Sequence, residues 1–225
     1  MPSFYFYKPY KIFLIYLKFV LMRKLSEYLQ VNEKLIVNKY LDVPEVICPE
    51  SYHELYKILR KLFEEEHDKD PKMNQIIDLN HIDISKVENL EHLFSDINEW
   101  HVPIKKIDIS HWDVSNIADF SGIFEGCKYL ESVGDLSKWD MHNATTLNKM
   151  FKGCKRLKSV GDISYWKVGR CLEFKEMFRD CEKLEKINFS RWPVDTVKVN
   201  KDNIKMFIAN TNQDRPEWIR EIMRK

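Results

Sequence analysis

The chain has 225 residues and a mass of 27.1 kDa, with 44% hydrophobic and 32% charged residues. This balance is typical of globular domains, and it excludes intrinsically disordered and membrane-embedded proteins. The 36 basic and 35 acidic residues leave a net charge of only +1, which argues against a dedicated nucleic-acid binder because such proteins usually carry a large basic excess.

The N-terminal segment differs in charge from the rest of the chain. Its first 24 residues hold five cations and no acid, so the remainder has a net charge of −4. The apolar run 12–22 is interrupted by Lys18 and is shorter than the roughly 20 residues of a transmembrane helix. Arg23 and Lys24 stand where a signal peptide would need small residues for cleavage. We predict that residues 1–21 are a basic aromatic extension, which is either a disordered leader or a segment that precedes a native start at Met22. Membrane contact through this segment is the alternative.

Residues 22–75 are predicted to form an N-terminal cap that contains an amphipathic helix. Ser51 and Glu54 have the spacing of a capping box, which marks the start of a helix. Apolar residues follow at helical spacing from Leu55 to Phe63, so we expect the helix to end at about Glu66.

The middle of the chain is an internal repeat of 26 or 27 residues. Two whole units begin at Asp108 and Asp135, a third begins at Asp162, and less regular copies begin at Asp78 and Asn188. Large apolar residues recur in register, and a unit this short buries its apolar face only against its neighbours. We therefore predict that the repeat core consists of Trp112, Trp139, Trp166, Trp192, Phe94, Phe124, Phe151, Phe178, Cys127, Cys154 and Cys181.

Each unit has the sequence signals of one strand and one short helix. Aliphatic residues such as Ile107 and Ile109 indicate the strand, Asn116 is a candidate helix N-cap, and Gly126 stands where the helix would end. We predict an α/β repeat solenoid over residues 76–207, a leucine-rich-repeat-like stack of about five short strand–helix coils. Residues 208–225 are predicted to form a C-terminal capping helix.

Two strings in these units resemble a known family. The pattern L-x-S-V-G-D-[LI]-S-x-W begins at Leu130 and again at Leu157, and M-F-x-G-C begins at Met150. They are similar to the BspA-type leucine-rich-like repeats of bacterial surface proteins and lipoproteins, and to short repeat proteins encoded by bacteriophages. The resemblance implies a right-handed solenoid that is used for binding, often adhesion, and it implies no catalytic residues.

Residues that could carry chemistry are explained more simply by the repeat. Three of the five cysteines share one repeat position, and an odd count without a CxxC motif fits buried thiols in a reducing compartment. His81 and His111 share another position and would need further ligands, such as Asp83 and Asp113, to bind a metal. The column of Asp108, Asp135 and Asp162 could bind a cation, but we favour a role in accepting hydrogen bonds within turns. The tryptophan column could stack against a ligand, but we favour a role in the core. We predict no catalytic residues, no cofactor and no metal site.

One charged stretch breaks the repeat symmetry. Between Asp140 and Asp162 there is no acid, whereas the repeat before it has Glu125 and Glu131 at the equivalent place. A basic spot on a mildly acidic body can attract an acidic partner, although lysines at a helix end are often only solvated. The candidate partner-binding residues are Lys149, Lys152, Lys155, Arg156 and Lys158.

These observations predict a non-enzymatic protein–protein interaction module, acting as a monomer or as a part of a larger assembly, in the cytoplasm or on a virion. The alternatives are a structural component of a phage or virion assembly and, more weakly, a surface adhesin or a nucleic-acid-binding protein. The cell surface is the alternative location.

Overall fold

The computed structural model describes residues 46–95, 103–195, 198–199, 201–204, 207–211 and 213–224. Within these ranges lie two α-helices, α1 (Tyr52–Lys69) and α2 (Glu217–Arg224), and two short strands, β1 (Ile77–Asp78) and β2 (Ile107–Asp108). Two 3-10 helices span Leu136–Lys138 and Ile163–Tyr165. The predicted extension 1–21 and the first part of the predicted N-terminal cap lie outside the described residues.

The predicted solenoid of strand–helix coils is wrong. Strands β1 and β2 form a two-stranded parallel sheet, and no α-helix lies between α1 and α2 in the described ranges. The stretch from Phe120 to Cys127, for which the apolar spacing predicts a helix, is a series of turns. Its backbone N–H groups donate to the next repeat, as Phe124 does to the carbonyl of Met150 at 2.9 Å, and these bonds replace the i to i−4 bonds of an α-helix.

The repeats contact one another in register through single backbone bridges and hydrogen bonds. One row of parallel bridges joins Lys106, Ser132 and Ser159, and a second row joins Asp119, Thr146 and Glu173. Because each row has only one bridged residue per repeat, the pairing is too short to form strands after β2. In the repeats that begin at Asp135 and Asp162, the predicted strand is therefore reduced to a single bridge, at Ser132 and at Ser159.

Aromatic and sulfur side chains form continuous columns through the interior. The rings of Phe94, Phe124, Phe151 and Phe178 stack almost parallel, with centroids 5.1, 5.2 and 5.3 Å apart. These spacings are slightly above the 4.7–4.9 Å between neighbouring strands of a sheet, so the columns follow the backbone bridges. All the residues predicted for the repeat core are buried.

Polar atoms of the buried columns are satisfied by the preceding repeat. The indole N–H of Trp166 donates to the carbonyl of Leu136 at 2.9 Å, and the thiol of Cys154 donates to the carbonyl of Phe124 at 3.1 Å. The other tryptophans and the two other cysteines in these columns make the same bonds. Each repeat is thereby joined to the one before it by polar contacts as well as by apolar packing.

The described chain begins and ends with helices that cover the repeats. At α1, Ser51 accepts a hydrogen bond from the backbone N–H of Glu54 and the Glu54 carboxylate accepts one from Glu50, so the predicted helix start is confirmed. The helix continues to Lys69, about one turn beyond the predicted end. At the other end, Trp218 of α2 stacks on Trp192 with centroids 6.5 Å apart and extends the Trp column.

The aspartate at the start of each unit has the predicted role in a turn. Asp108, Asp135 and Asp162 each accept a hydrogen bond from the backbone N–H two residues further along. Gly161 has a φ of +79°, and a Cβ atom there would lie 1.8 Å from the carboxylate of Asp135. The close packing of turn and carboxylate therefore requires glycine at this position.

Candidate functional site

Lys152 lies at the centre of an ionic network that joins three repeats. Its ammonium is 2.7 Å from a carboxylate oxygen of Glu176 in the next repeat and 3.2 Å from one of Glu125 in the repeat before. The side chains of Lys152 and Glu176 are only 26% and 11% exposed. The hydrogen bond between them lowers the pKa of Glu176 and raises the pKa of Lys152. Lys152 is thus placed to join repeats to one another.

Three of the other predicted cations also have acidic partners in adjacent repeats. Lys158 lies 2.9 Å from Glu131, and Lys149 lies 3.6 Å from Glu125. Lys155 is 3.5 Å from Glu182, and both of these side chains are exposed. The basic stretch is therefore the middle of three repeats whose acids and bases alternate, and most of its charge is balanced by its neighbours.

Arg156 differs from the other four cations because it packs on an aromatic ring. Its guanidinium carbon is 5.5 Å from the ring centroid of Tyr129, and the ammonium of Lys128 is 5.4 Å from the same centroid. Tyr129 is 39% exposed. Among the residues that the structure describes, neither Arg156 nor Lys128 forms an ion pair with a carboxylate. Two cations that form no ion pair with a described residue therefore flank an exposed tyrosine, and the charge of Arg156 adds to that of Lys158 in lowering the pKa of Glu131.

The repeat itself places these side chains next to each other. Tyr129, Arg156 and Lys183 occupy the same position in three consecutive repeats, and backbone bonds from Lys158 to Glu131 and from Glu185 to Lys158 hold the repeats in register. Lys183 is exposed and forms no ion pair with any described residue. We call the set Lys128, Tyr129, Lys155, Arg156 and Lys183 the Tyr129 surface.

Sequence reasoning found two members of the Tyr129 surface and missed the other three. Lys155 and Arg156 belong to the predicted basic stretch, whereas Lys128, Tyr129 and Lys183 lie in the neighbouring repeats. The signal that would have found them is the position within the repeat, because residues 27 apart lie beside each other. Reading along the chain groups Lys149 with Arg156, although one faces Glu125 and the other packs on Tyr129.

The described residues present no cluster that could hold a metal ion, since no group of three or more His, Cys, Asp or Glu side chains converges there. The Cys154 thiol is fully buried, and this burial raises its pKa well above the ordinary value. A protonated, inaccessible thiol is a poor nucleophile. A cavity of about 580 Å³ near α2 is lined by apolar residues such as Ile204 and Ile219 together with polar ones such as Asp202, and by no histidine or cysteine.

Comparison with known proteins places the chain in a family. The family described as "Mycoplasma protein of unknown function, DUF285" matches residues 57–111 and 101–218. The chain belongs to this family. Its two matched segments include most of α1, all the repeats and the start of α2. No curated protein and no solved structure matches the chain. No helix in the described ranges is both long enough and apolar enough to cross a membrane.

Proposed function

We propose that the protein is a non-enzymatic protein–protein interaction module that binds an acidic partner through the Tyr129 surface. The observation that carries this proposal is the exposed Tyr129 ring between Arg156 and Lys128, two cations that lack the acidic partner most of their neighbours have. The buried columns and the Lys152 network hold the repeats together, and the Tyr129 surface is left for binding.

Side-chain chemistry supports this assignment. Tyrosine and arginine are enriched among the residues that dominate binding energy at protein interfaces, since both bury a large area and still offer hydrogen bonds. Cations without an internal partner steer an acidic protein towards the surface and fix its orientation. The net charge of −4 beyond residue 24 makes a large nucleic-acid footprint unfavourable, and the few cations of the Tyr129 surface match a short acidic segment of a protein.

The type of repeat and the cellular location are part of the same proposal. We propose that they are BspA-type repeats, whose members are used for binding, and that the protein acts in the cytoplasm as a monomer or within a larger assembly. The location is supported by the five cysteines, none of which forms a disulfide in the structure. The proposed function includes no small-molecule ligand, cofactor or metal.

The test is affinity capture from lysate of the native source with the full-length chain as bait. The variant Lys128→Glu/Arg156→Glu reverses the charge of the two cations that flank Tyr129. The matched control is Lys57→Glu/Lys72→Glu, which makes the same change in net charge at exposed lysines in and just after α1. Quantitative mass spectrometry compares each variant with the unchanged chain.

We expect a partner that the unchanged chain and the control capture and that the Lys128→Glu/Arg156→Glu variant loses. Equal loss with both variants would indicate unspecific charge attraction and would overturn the proposed surface. A partner retained by all baits would place binding elsewhere. Recovery only within intact particles, at a fixed ratio, would replace the interaction module by a structural component.

A further inference from the structure

Tyr165 is the most exposed large apolar side chain in the described part of the chain, at 65%. It is the last residue of the 3-10 helix Ile163–Tyr165, which Asp162 caps by accepting a hydrogen bond from the backbone N–H of Ser164. The next residue, Trp166, is buried and bonded to Leu136. The backbone around Tyr165 is therefore held on both sides while its ring faces solvent.

Arg191 covers one side of this ring. Its guanidinium carbon lies 4.6 Å from the Tyr165 centroid, which is within the range of a cation–π contact. Arg191 has the position of Tyr165 in the following repeat, and Lys138 has it in the preceding one. The columns that fix the core thus also align a cation, an aromatic ring and a second cation on the outside.

Two further cations, Lys167 and Arg170, follow Tyr165 in its own repeat and are exposed. We call Lys138, Tyr165, Lys167, Arg170 and Arg191 the Tyr165 surface. None of its four cations forms an ion pair with a described residue, and Arg170 donates one hydrogen bond to the side chain of Asn143. Arg191 stacks on Tyr165 and also lies near the carboxylate of Asp162.

Nearby acids are already engaged in the turns. The carboxylates of Asp135 and Asp162 accept backbone hydrogen bonds from Ser137 and Ser164, and Asp140 lies 3.2 Å from His142. The hydrogen bonds from Ser164 keep the pKa of Asp162 below its ordinary value, so this carboxylate stays ionised beside Arg191 at neutral pH. These acids limit the net positive charge, which favours a short acidic ligand over a long polyanion.

We propose that the Tyr165 surface is a second binding site, for a glutamate- or aspartate-rich peptide segment of a partner protein. The free side of the Tyr165 ring supplies apolar contact area, and Arg191 offers a planar donor that bonds carboxylates in pairs. Lys138 and Lys167 extend the cationic surface to neighbouring carboxylates. With the Tyr129 surface, this site gives the protein two places for acidic partners, but it does not depend on the first.

The test measures direct binding of a fluorescein-labelled deca-glutamate peptide by fluorescence anisotropy. All proteins carry Lys128→Gln, Arg156→Gln and Lys183→Gln, so Lys155, which is paired with Glu182, is the one cation left on the Tyr129 surface. A failure of the Tyr129 surface is therefore separate from a failure of the Tyr165 surface. Into this background we introduce Lys138→Gln/Arg191→Gln, Tyr165→Ala or Tyr165→Phe. The control is Lys57→Gln/Lys72→Gln, with the same loss of charge at a distant place in the sequence.

We expect the background protein and the control to bind the peptide equally, and Lys138→Gln/Arg191→Gln to raise Kd by about ten-fold. Tyr165→Ala should raise Kd by about five-fold, whereas Tyr165→Phe, which keeps the ring, should bind the peptide almost as tightly as the background protein. The proposal would be overturned if the background protein showed no saturable binding. It would also be overturned if Lys57→Gln/Lys72→Gln raised Kd as much as Lys138→Gln/Arg191→Gln. Tighter binding of a twenty-nucleotide oligothymidine at the same salt concentration would replace the peptide by a nucleic acid.

Discussion

The tryptophan present in four of the repeats both fills the core and donates a hydrogen bond. Trp166 is buried between Trp139 and Trp192, with centroids 6.5 and 6.1 Å away, and its indole N–H bonds the carbonyl of Leu136. Phenylalanine would fill much of the same space but would leave that bond unmade. The repeated choice of tryptophan is therefore explained by the contact between repeats.

The substitution Trp166→Phe tests this explanation. It removes the indole N–H and part of the ring, so we expect the free energy of unfolding to fall by about 2 kcal/mol from the lost hydrogen bond and the residual cavity. Urea denaturation followed by circular dichroism measures the change. The adjacent exposed residue serves as the control, because Tyr165→Phe should change stability by less than about 0.5 kcal/mol. Equal effects of the two substitutions would contradict a structural role for the indole.

Burial of the cysteines predicts their reactivity. Desolvation raises the pKa of Cys171 and Cys181 to about 12, and Cys127 and Cys154 are also buried, whereas Cys48 is exposed. At pH 8 we expect Ellman's reagent to modify one thiol per native chain rapidly and all five after unfolding in urea. Rapid reaction of two or more thiols in the native protein would show that the Cys column is open to solvent.

At the scale of the element, the short turns of neighbouring repeats are joined by charge. Glu125, Lys152 and Glu176 come from three consecutive repeats and form one partly buried network, to which Arg179 adds a contact of 3.1 Å with Glu176. Breaking one member leaves a poorly hydrated charge without its partner, which costs more than the loss of an exposed pair. The network therefore makes the contact between repeats sensitive to pH.

The pH dependence has a definite direction. Because the hydrogen bond from Lys152 lowers the pKa of Glu176 in the folded state, its stabilisation is present at neutral pH and is lost as pH falls through that lowered pKa. We expect Glu176→Gln to remove part of the fall in urea midpoint between about pH 5 and pH 3. The control Glu182→Gln, in an exposed pair with Lys155, should leave the profile unchanged. If the urea midpoint of Glu176→Gln fell with pH as steeply as that of the unchanged chain, this role of the network would be contradicted.

The sequence predicts some of these elements and not others, for a physical reason. Helix α1 is signalled locally by Ser51 and Glu54, and its start follows from that signal. The turns from Phe120 to Cys127 have helical apolar spacing too, but their backbone donors bond the next repeat, which no local pattern reveals. The candidate site has the same limitation, because the partners of Lys152 and Arg156 lie in neighbouring repeats.

At the scale of the whole molecule, each repeat is a unit that the next can replace. If residues 135–161 are deleted, Phe124 would meet Phe178 and Glu125 would meet Arg179, which are equivalent pairs in the repeat. We expect this variant to fold, with a far-UV spectrum of the same shape and a lower urea midpoint, because stability in repeat proteins is close to a sum over neighbours.

A deletion that breaks the register is the control for this experiment. Removing only residues 135–147 takes away fewer residues but sets polar turn positions against the Phe, Trp and Cys columns. We expect that shorter variant not to fold cooperatively. If the two deletions behaved alike, the columns would not determine how the repeats assemble.

The most direct test of the account is equilibrium urea unfolding of Lys152→Gln and Arg156→Gln side by side. The two substitutions remove the same charge from residues four apart, one in the network that joins the repeats and one on the Tyr129 surface. We predict that Lys152→Gln lowers the free energy of unfolding by about 1–2 kcal/mol and that Arg156→Gln changes it by less than about 0.5 kcal/mol. Equal losses, or a larger loss with Arg156→Gln, would contradict the division between cations that hold the repeats together and cations left for a partner.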